Sequence, residues 1–226
     1  MLKKYQTSNL FYNKYLFKLR IRCELAPLFR GMNLGYAKSR LDEMQLQAES
    51  DVPILSPFRY PRNKQKNVSL ETFMDCMVIY SALDSHKDEA MTRIEGITLD
   101  VYSNQLEWLV DLSKQVDGIS LHEPENSDIE DFLFNNTNTH ISDNPVKWKY
   151  KCILSKSCDP RFVSWCEANP LNVRIGATAK KAITKSHFTD GLYFWVTNKK
   201  YLMLAQIALG TKISKIVEYV YKQDIR

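Results

Sequence analysis

Two stretches of the chain alternate between apolar and polar residues and carry its most distinctive side chains. In residues 146–154 the apolar side chains share one face, and Lys147, Lys149 and Lys151 lie on the other. In residues 192–196 the same period places Tyr193 and Trp195 together on the outer face. A period of two over several residues is typical of a half-buried β-strand. The sequence therefore predicts one strand with a lysine face and another with an aromatic face.

Further strands are predicted from the same alternation. Residues 13–23 have an apolar face and a cationic face, whose members are Lys14, Lys18, Arg20 and Arg22. Residues 89–94 and 97–102 are predicted to form a hairpin around the tight turn Glu95-Gly96. A last short strand is predicted at residues 172–177.

Helices are predicted where apolar residues recur at helical spacing after a capping residue. Ser69 is a candidate N-cap for a helix at residues 70–83, and Thr197 or Asn198 for one at residues 199–209. The other predicted helices lie at residues 34–49, 105–116, 160–168 and 213–221, with a short helix or loop at 180–184.

Two segments have the composition of irregular connections. Residues 51–67 contain Pro53, Pro57 and Pro61 among several cations, which indicates a basic loop or arm. Residues 117–144 contain seven acidic residues and neither lysine nor arginine. We interpret this second segment as an acidic linker, with room for a short helix at residues 129–134.

The order of predicted elements recurs along the chain, which indicates an α+β fold with an internal duplication. Residues 96–104 and 191–198 each begin with glycine, continue as a strand, and end in a hydroxyl residue and asparagine. The alternative is coincidence, because a strand followed by a helix cap is common in α+β proteins. If the repeat is real, each half reads β-α-β-β-α, the core of the ferredoxin-like fold. The predicted domains are a first half at residues 1–116, the acidic linker at 117–144 and a second half at 145–226.

Composition and charge exclude few classes of protein or partner. The 226 residues are 44% hydrophobic and 25% charged, as in an ordinary globular protein. The formal net charge of +5 permits a nucleic-acid or acidic partner without requiring one. The five cysteines form no C-x-x-C pair, and no apolar stretch resembles a signal peptide or a membrane span. We therefore expect a cytoplasmic protein, in a cell's own cytoplasm or in that of a host.

The strand patterns favour binding of single-stranded nucleic acid, with RNA ahead of DNA. Such ligands are bound by aromatic rings on which bases stack and by cations that follow the phosphates. In a ferredoxin-like half the lysine strand and the aromatic strand would be neighbours on an open sheet face. The consensus of RNA-recognition domains is missing, since residues 191–196 are similar to it only in a glycine and aromatic residues. The predicted contacts are Lys14, Lys18, Arg20, Arg22, Lys147, Lys149, Lys151, Arg174, Tyr193 and Trp195.

The same residues also allow a protein–protein interpretation. Alternating lysines often form a solvated face or protect a sheet edge. Tyr193 and Trp195 could instead be buried by the other half, by the last helix or by a partner subunit in an oligomer. The alternative function is that of a structural or assembly protein, viral or other, whose sheet face docks a protein partner.

No pattern in the chain predicts catalysis, a cofactor or a metal. The four histidines are dispersed, and Gly210-Thr211-Lys212 lacks the rest of a phosphate-binding loop. Asp128, Glu130 and Asp131 are close enough in sequence to bind Mg²⁺, but an acidic linker explains them more simply. We therefore expect a binding protein and not an enzyme.

Overall fold

The computed structural model describes residues 2–59 and 65–225. Residues 60–64, which include Arg62 and Lys64 of the predicted basic arm, lie outside the described residues. The chain divides into two compact units. The first unit comprises Met1–Thr7 and Lys14–Asn126, and the second comprises Ser8–Asn13 and Ser127–Arg226.

The first unit is built on a five-stranded sheet. In chain order its elements are β1 (Lys3–Gln6), β2 (Phe17–Arg22), α1 (Leu34–Glu49), β3 (Leu55–Arg59), β4 (Gln65–Asn67), α2 (Leu70–Ser85), β5 (Met91–Glu95), β6 (Thr98–Ser103), α3 (Leu106–Gln115) and β7 (Gly118–Glu123). The strand order is β1-β7-β2-β6-β5, while β3 and β4 form a separate two-stranded sheet. Neighbouring strands of the large sheet are antiparallel, except that β1 and β7 are parallel.

The second unit is built on another five-stranded sheet. Its elements are α4 (Ser127–Asn135), β8 (Thr139–Ser142), β9 (Tyr150–Leu154), α5 (Arg161–Ala168), β10 (Val173–Ile175), α6 (Ala177–Thr184), β11 (Tyr193–Val196), α7 (Lys199–Leu209) and β12 (Ile213–Tyr221). The strand order is β10-β11-β9-β12-β8, and only the β12–β8 pair is parallel. The predicted α+β class is therefore confirmed.

Several elements follow local signals in the sequence. The predicted helices at residues 34–49 and 199–209 have the bounds of α1 and α7. Ser69 caps α2 by accepting a hydrogen bond from the Thr72 amide, and Asn198 caps α7 by accepting one from the Tyr201 amide. These side chains satisfy amide groups that a helix leaves unpaired in its first turn, so the chain starts each helix at a defined residue.

The core of the second unit lies between its sheet and helices α5, α6 and α7. Alternate residues of β9 and β11 enter this core, including Cys152 and Phe194, neither of which is exposed to solvent. The Phe194 ring meets Phe162 of α5 edge-on, with centroids 4.9 Å apart. Because side chains alternate along a strand, the residues next to Cys152 and Phe194 must project from the opposite face of the sheet.

The prediction of a final amphipathic helix at residues 213–221 is wrong, since this segment is strand β12. Ile213, Ile216, Val217 and Val220 fit helical spacing, and the segment has no regular alternation of apolar and polar residues. It is rich in β-branched and aromatic residues, which favour a strand. Pairing with β9 on one side and β8 on the other outweighs the helical spacing.

The two predicted irregular segments also contain regular structure. Residues 51–67 include β3 and β4, although Pro57 lies within β3. Residues 117–144 contain β7, α4 and β8, so the acidic segment contributes a strand to each large sheet. Its acids are compatible with these elements because solvent-exposed faces of strands and helices tolerate charge.

Two predicted strands begin later than the alternation indicates. The lysine strand starts at Tyr150, so Lys147 and Lys149 precede β9. The first cationic strand starts at Phe17, so Lys14 precedes β2. Within residues 2–59 and 65–225, no helix is both long enough and apolar enough to cross a membrane.

Candidate nucleic-acid interface

The predicted aromatic and cationic residues of the second unit meet on the sheet face opposite helices α5, α6 and α7. Trp195 of β11 is the direct cross-strand partner of Lys151 of β9. On its other side Trp195 pairs with Arg174 of β10. Tyr193 projects from the same face as Trp195 because it lies two residues away along β11. We call this surface the open face of the second sheet.

Four rings from three strands form a row across the open face. Trp195 contacts Tyr193 edge-on at a centroid distance of 6.1 Å and contacts Tyr219 of β12 at 4.8 Å. Tyr219 in turn contacts His140 of β8 at 4.6 Å. Since β9 lies between β11 and β12, the rings of Trp195 and Tyr219 meet above β9. We call Tyr193, Trp195, Tyr219 and His140 the aromatic row.

Lys151 brings positive charge to the aromatic row. Its Nζ lies 4.1 Å from the centroid of Tyr193 and 5.7 Å from that of Trp195, within the range of a cation–π attraction. The described strand residues of the open face include no carboxylate; they are Arg174, Tyr193, Trp195, Lys151, Ile153, Lys215, Val217, Tyr219, Tyr221, His140 and Ser142. None of these open-face residues offers a carboxylate to Arg174, Lys151 or Lys215, a charge distribution that favours an anionic ligand.

A cleft of about 360 Å³ lies beside the aromatic row. Trp195 and Tyr219 line it together with Arg174 and with Lys147 and Trp148 from the segment before β9. The Lys147 ammonium lies 5.2 Å from the centroid of the Trp148 ring. The volume is at the lower end of the range for small-molecule sites, so the cleft has room for a ligand of about the size of a nucleoside.

The structure brings together only part of the predicted set of contact residues. Lys147, Arg174, Tyr193 and Trp195 line the cleft, and Lys151 contacts two of its rings. Lys149 is exposed but does not line the cleft. The cations Lys14, Lys18, Arg20 and Arg22 belong to the first unit.

Sequence reasoning missed two aromatic residues of the cleft. Tyr219 was missed because residues 213–221 were predicted to be a helix; the high content of β-branched and aromatic residues in this segment was the available signal. Trp148 was expected on the buried face in register with Tyr150. It precedes β9, so strand alternation does not determine its direction.

A second, smaller depression of about 160 Å³ lies on the other side of Tyr219, and we call it the polar pocket. Lys215 donates a hydrogen bond from Nζ to Oδ1 of Asn13 at 2.8 Å. The Nδ1 atom of His140 lies 3.2 Å from Oδ1 of Asn9. Burial and the positive charge of Lys151 lower the pKa of His140, so this imidazole is neutral at pH 7.

The open face of the first sheet has a different electrostatic character. Asp100 of β6, whose side chain is only 4% exposed, accepts hydrogen bonds from Arg20 at 2.6 and 2.9 Å. The Lys18 ammonium lies 3.6 Å from the same carboxylate. Burial raises the pKa of Asp100, but the hydrogen bonds from Arg20 and the charges of Lys18 and Arg20 outweigh burial and hold it below its usual value.

The remaining first-unit cations of the predicted set have partners of their own. Arg22 Nε lies 3.8 Å from Oδ2 of Asp117, and both side chains are exposed. Lys14 Nζ lies 4.9 Å from the centroid of the Tyr15 ring. The two units thus carry similar cations, but in the first unit carboxylates offset the charge of Lys18, Arg20 and Arg22.

We expect Asp100→Asn to lower the free energy of unfolding by about 1.5–3 kcal/mol, because it removes the carboxylate that pairs two partly buried cations. The matched control is Glu95→Gln, which removes the exposed carboxylate at the other end of Arg20 and should cost less than about 1 kcal/mol. Urea denaturation of the three proteins measures both effects. An equal loss in the two variants would contradict the assigned role of Asp100.

The described part of the chain contains no group of three or more His, Cys, Asp or Glu side chains placed to hold a metal ion. No family model matches this chain, and neither a curated protein nor a solved structure matches it significantly. The chemistry of the open face is therefore the basis for proposing a function.

Proposed function

We propose that this protein binds single-stranded nucleic acid, RNA ahead of DNA, on the open face of the second sheet. The observation that carries the proposal is the aromatic row in contact with Lys151, on a sheet face whose described strand residues include no carboxylate. Aromatic rings offer stacking surfaces to any base, and unneutralised cations attract the phosphates. The proposed role is binding, and no residue is assigned a catalytic part.

The dimensions of the cleft support a single-stranded ligand. One base can stack against Trp195 or Tyr219 within about 360 Å³, while Arg174 and Lys147 at the lining are available to phosphates. The exposed Tyr193, at the end of the aromatic row, offers a second stacking surface. In a duplex the bases are stacked on one another and their faces are not available to these rings.

We also propose that the two units are ferredoxin-like halves related by duplication. In each sheet four strands lie in the order fourth, first, third, second, and all adjacent pairs are antiparallel. Each sheet has one additional parallel strand beside the fourth, β1 in one unit and β8 in the other. Gly96 and Gly191 both have positive φ angles, of 61° and 76°, in the turn before the third strand.

If the two units are related by duplication, a cross-strand row of three side chains in the first sheet corresponds to one in the second. In the first sheet Arg20 pairs with Asp100, which pairs with Arg93. In the second sheet Lys151 pairs with Trp195, which pairs with Arg174. The cations correspond, but the central position is a carboxylate in one unit and a stacking ring in the other. The proposed binding function is accordingly limited to the second unit, and Lys14, Lys18, Arg20 and Arg22 are not part of it.

The proposed location is a reducing compartment such as the cytoplasm. All five cysteines are free and buried in the structure, where a thiol packs as a small apolar group. Burial raises the pKa of Cys152 and of Cys166 to about 12, so both stay protonated and unreactive at neutral pH.

The test is fluorescence anisotropy of labelled single-stranded RNA and DNA, titrated with the protein at two salt concentrations. We expect dissociation constants in the micromolar range or below, a marked weakening at the higher salt, and quenching of tryptophan emission. A duplex of the same length is the control and should bind more weakly. Absence of binding at low salt would overturn the proposal and would favour a protein partner for the open face.

A further inference from the structure

We propose that the polar pocket is a phosphate subsite, which holds the backbone of the strand whose base stacks in the neighbouring cleft. This inference rests on the proposed function and deepens it. Tyr219 lines both depressions, with Trp195 on its cleft side and His140 on its pocket side. A nucleotide placed against Tyr219 can therefore occupy both at once.

The lining of the polar pocket suits an anion. Its described lining residues include no carboxylate, and the charged group among them is Lys215. The hydrogen-bond acceptor of Lys215 is the neutral amide of Asn13, so the ammonium keeps its full charge and two further donors. In the first unit, by contrast, Lys18 and Arg20 are paired with a carboxylate.

A network of amides holds Lys215 in position. Asn13 accepts from Lys215 and donates from Nδ2 to Oδ1 of Asn138 at 3.1 Å. The segment Ser8–Asn13 is anchored to β8 through the Ile141 amide, which donates to the Ser8 carbonyl at 2.7 Å. The φ angle of Asn13 is 57°, a left-handed conformation that asparagine adopts more readily than most residues. The pocket is thus a pre-organised site, since its cation is held before the ligand arrives.

The lining of the polar pocket suits a backbone group better than a base. Its volume of about 160 Å³ is less than half that of the cleft, and half of its described lining residues are asparagine or threonine. A phosphate, which accepts hydrogen bonds on several sides, can accept from Lys215 and from these polar side chains. The backbone of a single strand carries phosphates at every nucleotide, so the two depressions fit neighbouring parts of one ligand.

The test uses the salt dependence of oligo(U) binding. For single strands, each phosphate contact contributes about 0.7 to the slope of log K against log salt. We expect Lys215→Gln to reduce that slope by about 0.7 and to leave the quenching of tryptophan emission at saturation unchanged. Lys181→Gln is the control, because α6 lies on the opposite, helix-covered side of the sheet and this exposed lysine should not affect the slope.

A second variant keeps Lys215 in place and changes only its charge balance. Asn13→Asp retains the acceptor for Lys215 but adds a negative charge beside it, and the Asn138 amide can turn to donate to the new carboxylate. We expect the same reduced slope and, in addition, weaker binding at low salt. If both variants keep the wild-type slope while the wild-type protein binds, the phosphate subsite is wrong and the proposed function stands. If the wild-type protein does not bind oligo(U), both proposals fail.

Discussion

Replacing Trp195 and Tyr193 together by alanine is expected to remove most of the affinity for single-stranded oligonucleotides. Base stacking on an aromatic side chain contributes about 1–3 kcal/mol per base. Each ring is therefore worth roughly a 5- to 150-fold change in affinity, and the two losses should add if each ring stacks its own base. Fluorescence anisotropy at low salt measures the loss. Trp195→Phe should retain part of the affinity because it preserves a stacking surface.

The thermal stability of this double variant is the decisive control. Tyr193 is 43% exposed, and Trp195 contacts other side chains of the open face but is not part of the core beneath the sheet. We expect the midpoint of thermal unfolding to change little. Phe188→Ala serves as the matched binding control, since Phe188 is 73% exposed and does not line the cleft. A large loss of stability on removing Tyr193 and Trp195 would show that their rings are structural, and the binding hypothesis would then fail.

Phe194→Ala is expected to lower the free energy of unfolding by about 3–5 kcal/mol, the usual cost of deleting a buried phenyl ring. Phe194 is fully buried and packs edge-on against Phe162, so its removal leaves a cavity between β11 and α5. Urea denaturation measures the loss, and Phe194→Leu should cost less because it fills part of the cavity. A loss below about 1 kcal/mol for Phe194→Ala would contradict the assignment of this face of β11 to the core.

These two predictions concern adjacent residues and have opposite signatures. Replacing Trp195 should weaken binding with little change in thermal stability, while replacing Phe194 should mainly lower the free energy of unfolding. The difference follows from strand alternation, which sends neighbouring side chains to opposite faces of the sheet. A shift of β11 by one residue against β9 would exchange the two effects, so the pair also tests which face of the sheet Trp195 and Phe194 each occupy.

Much of the local structure could be predicted because it depends on neighbouring residues in the chain. The helix caps Ser69 and Asn198 act on amides three residues away, and a single sequence contains that information. The faces of β9 and β11 could be predicted for the same reason, since alternation is a property of consecutive residues. The residues of the cleft could be predicted only where they lie on such strands, as Arg174 and Trp195 do.

The failures have a common physical cause. Residues 213–221 fit a helical period, and pairing with β8 and β9, which lie far away in the chain, makes them a strand. Tyr219 was missed for that reason. The polar pocket was missed because it joins Asn13 to Lys215 across most of the chain, and amide residues in a loop give no local signal of such a contact.

The sequence by itself determined the α+β class, the Ser69 cap of α2, and which face of each alternating strand is apolar, because all of these depend on short-range spacing. The tertiary structure determined which side chains lie beside the cations of each strand. Arg20 and Lys151 occupy similar positions in their local patterns, but Arg20 lies beside Asp100 and Lys151 lies beside Trp195. The side chain opposite a strand residue comes from a distant part of the chain. Strand pairing therefore places a carboxylate beside the cation on one sheet and an aromatic ring beside it on the other.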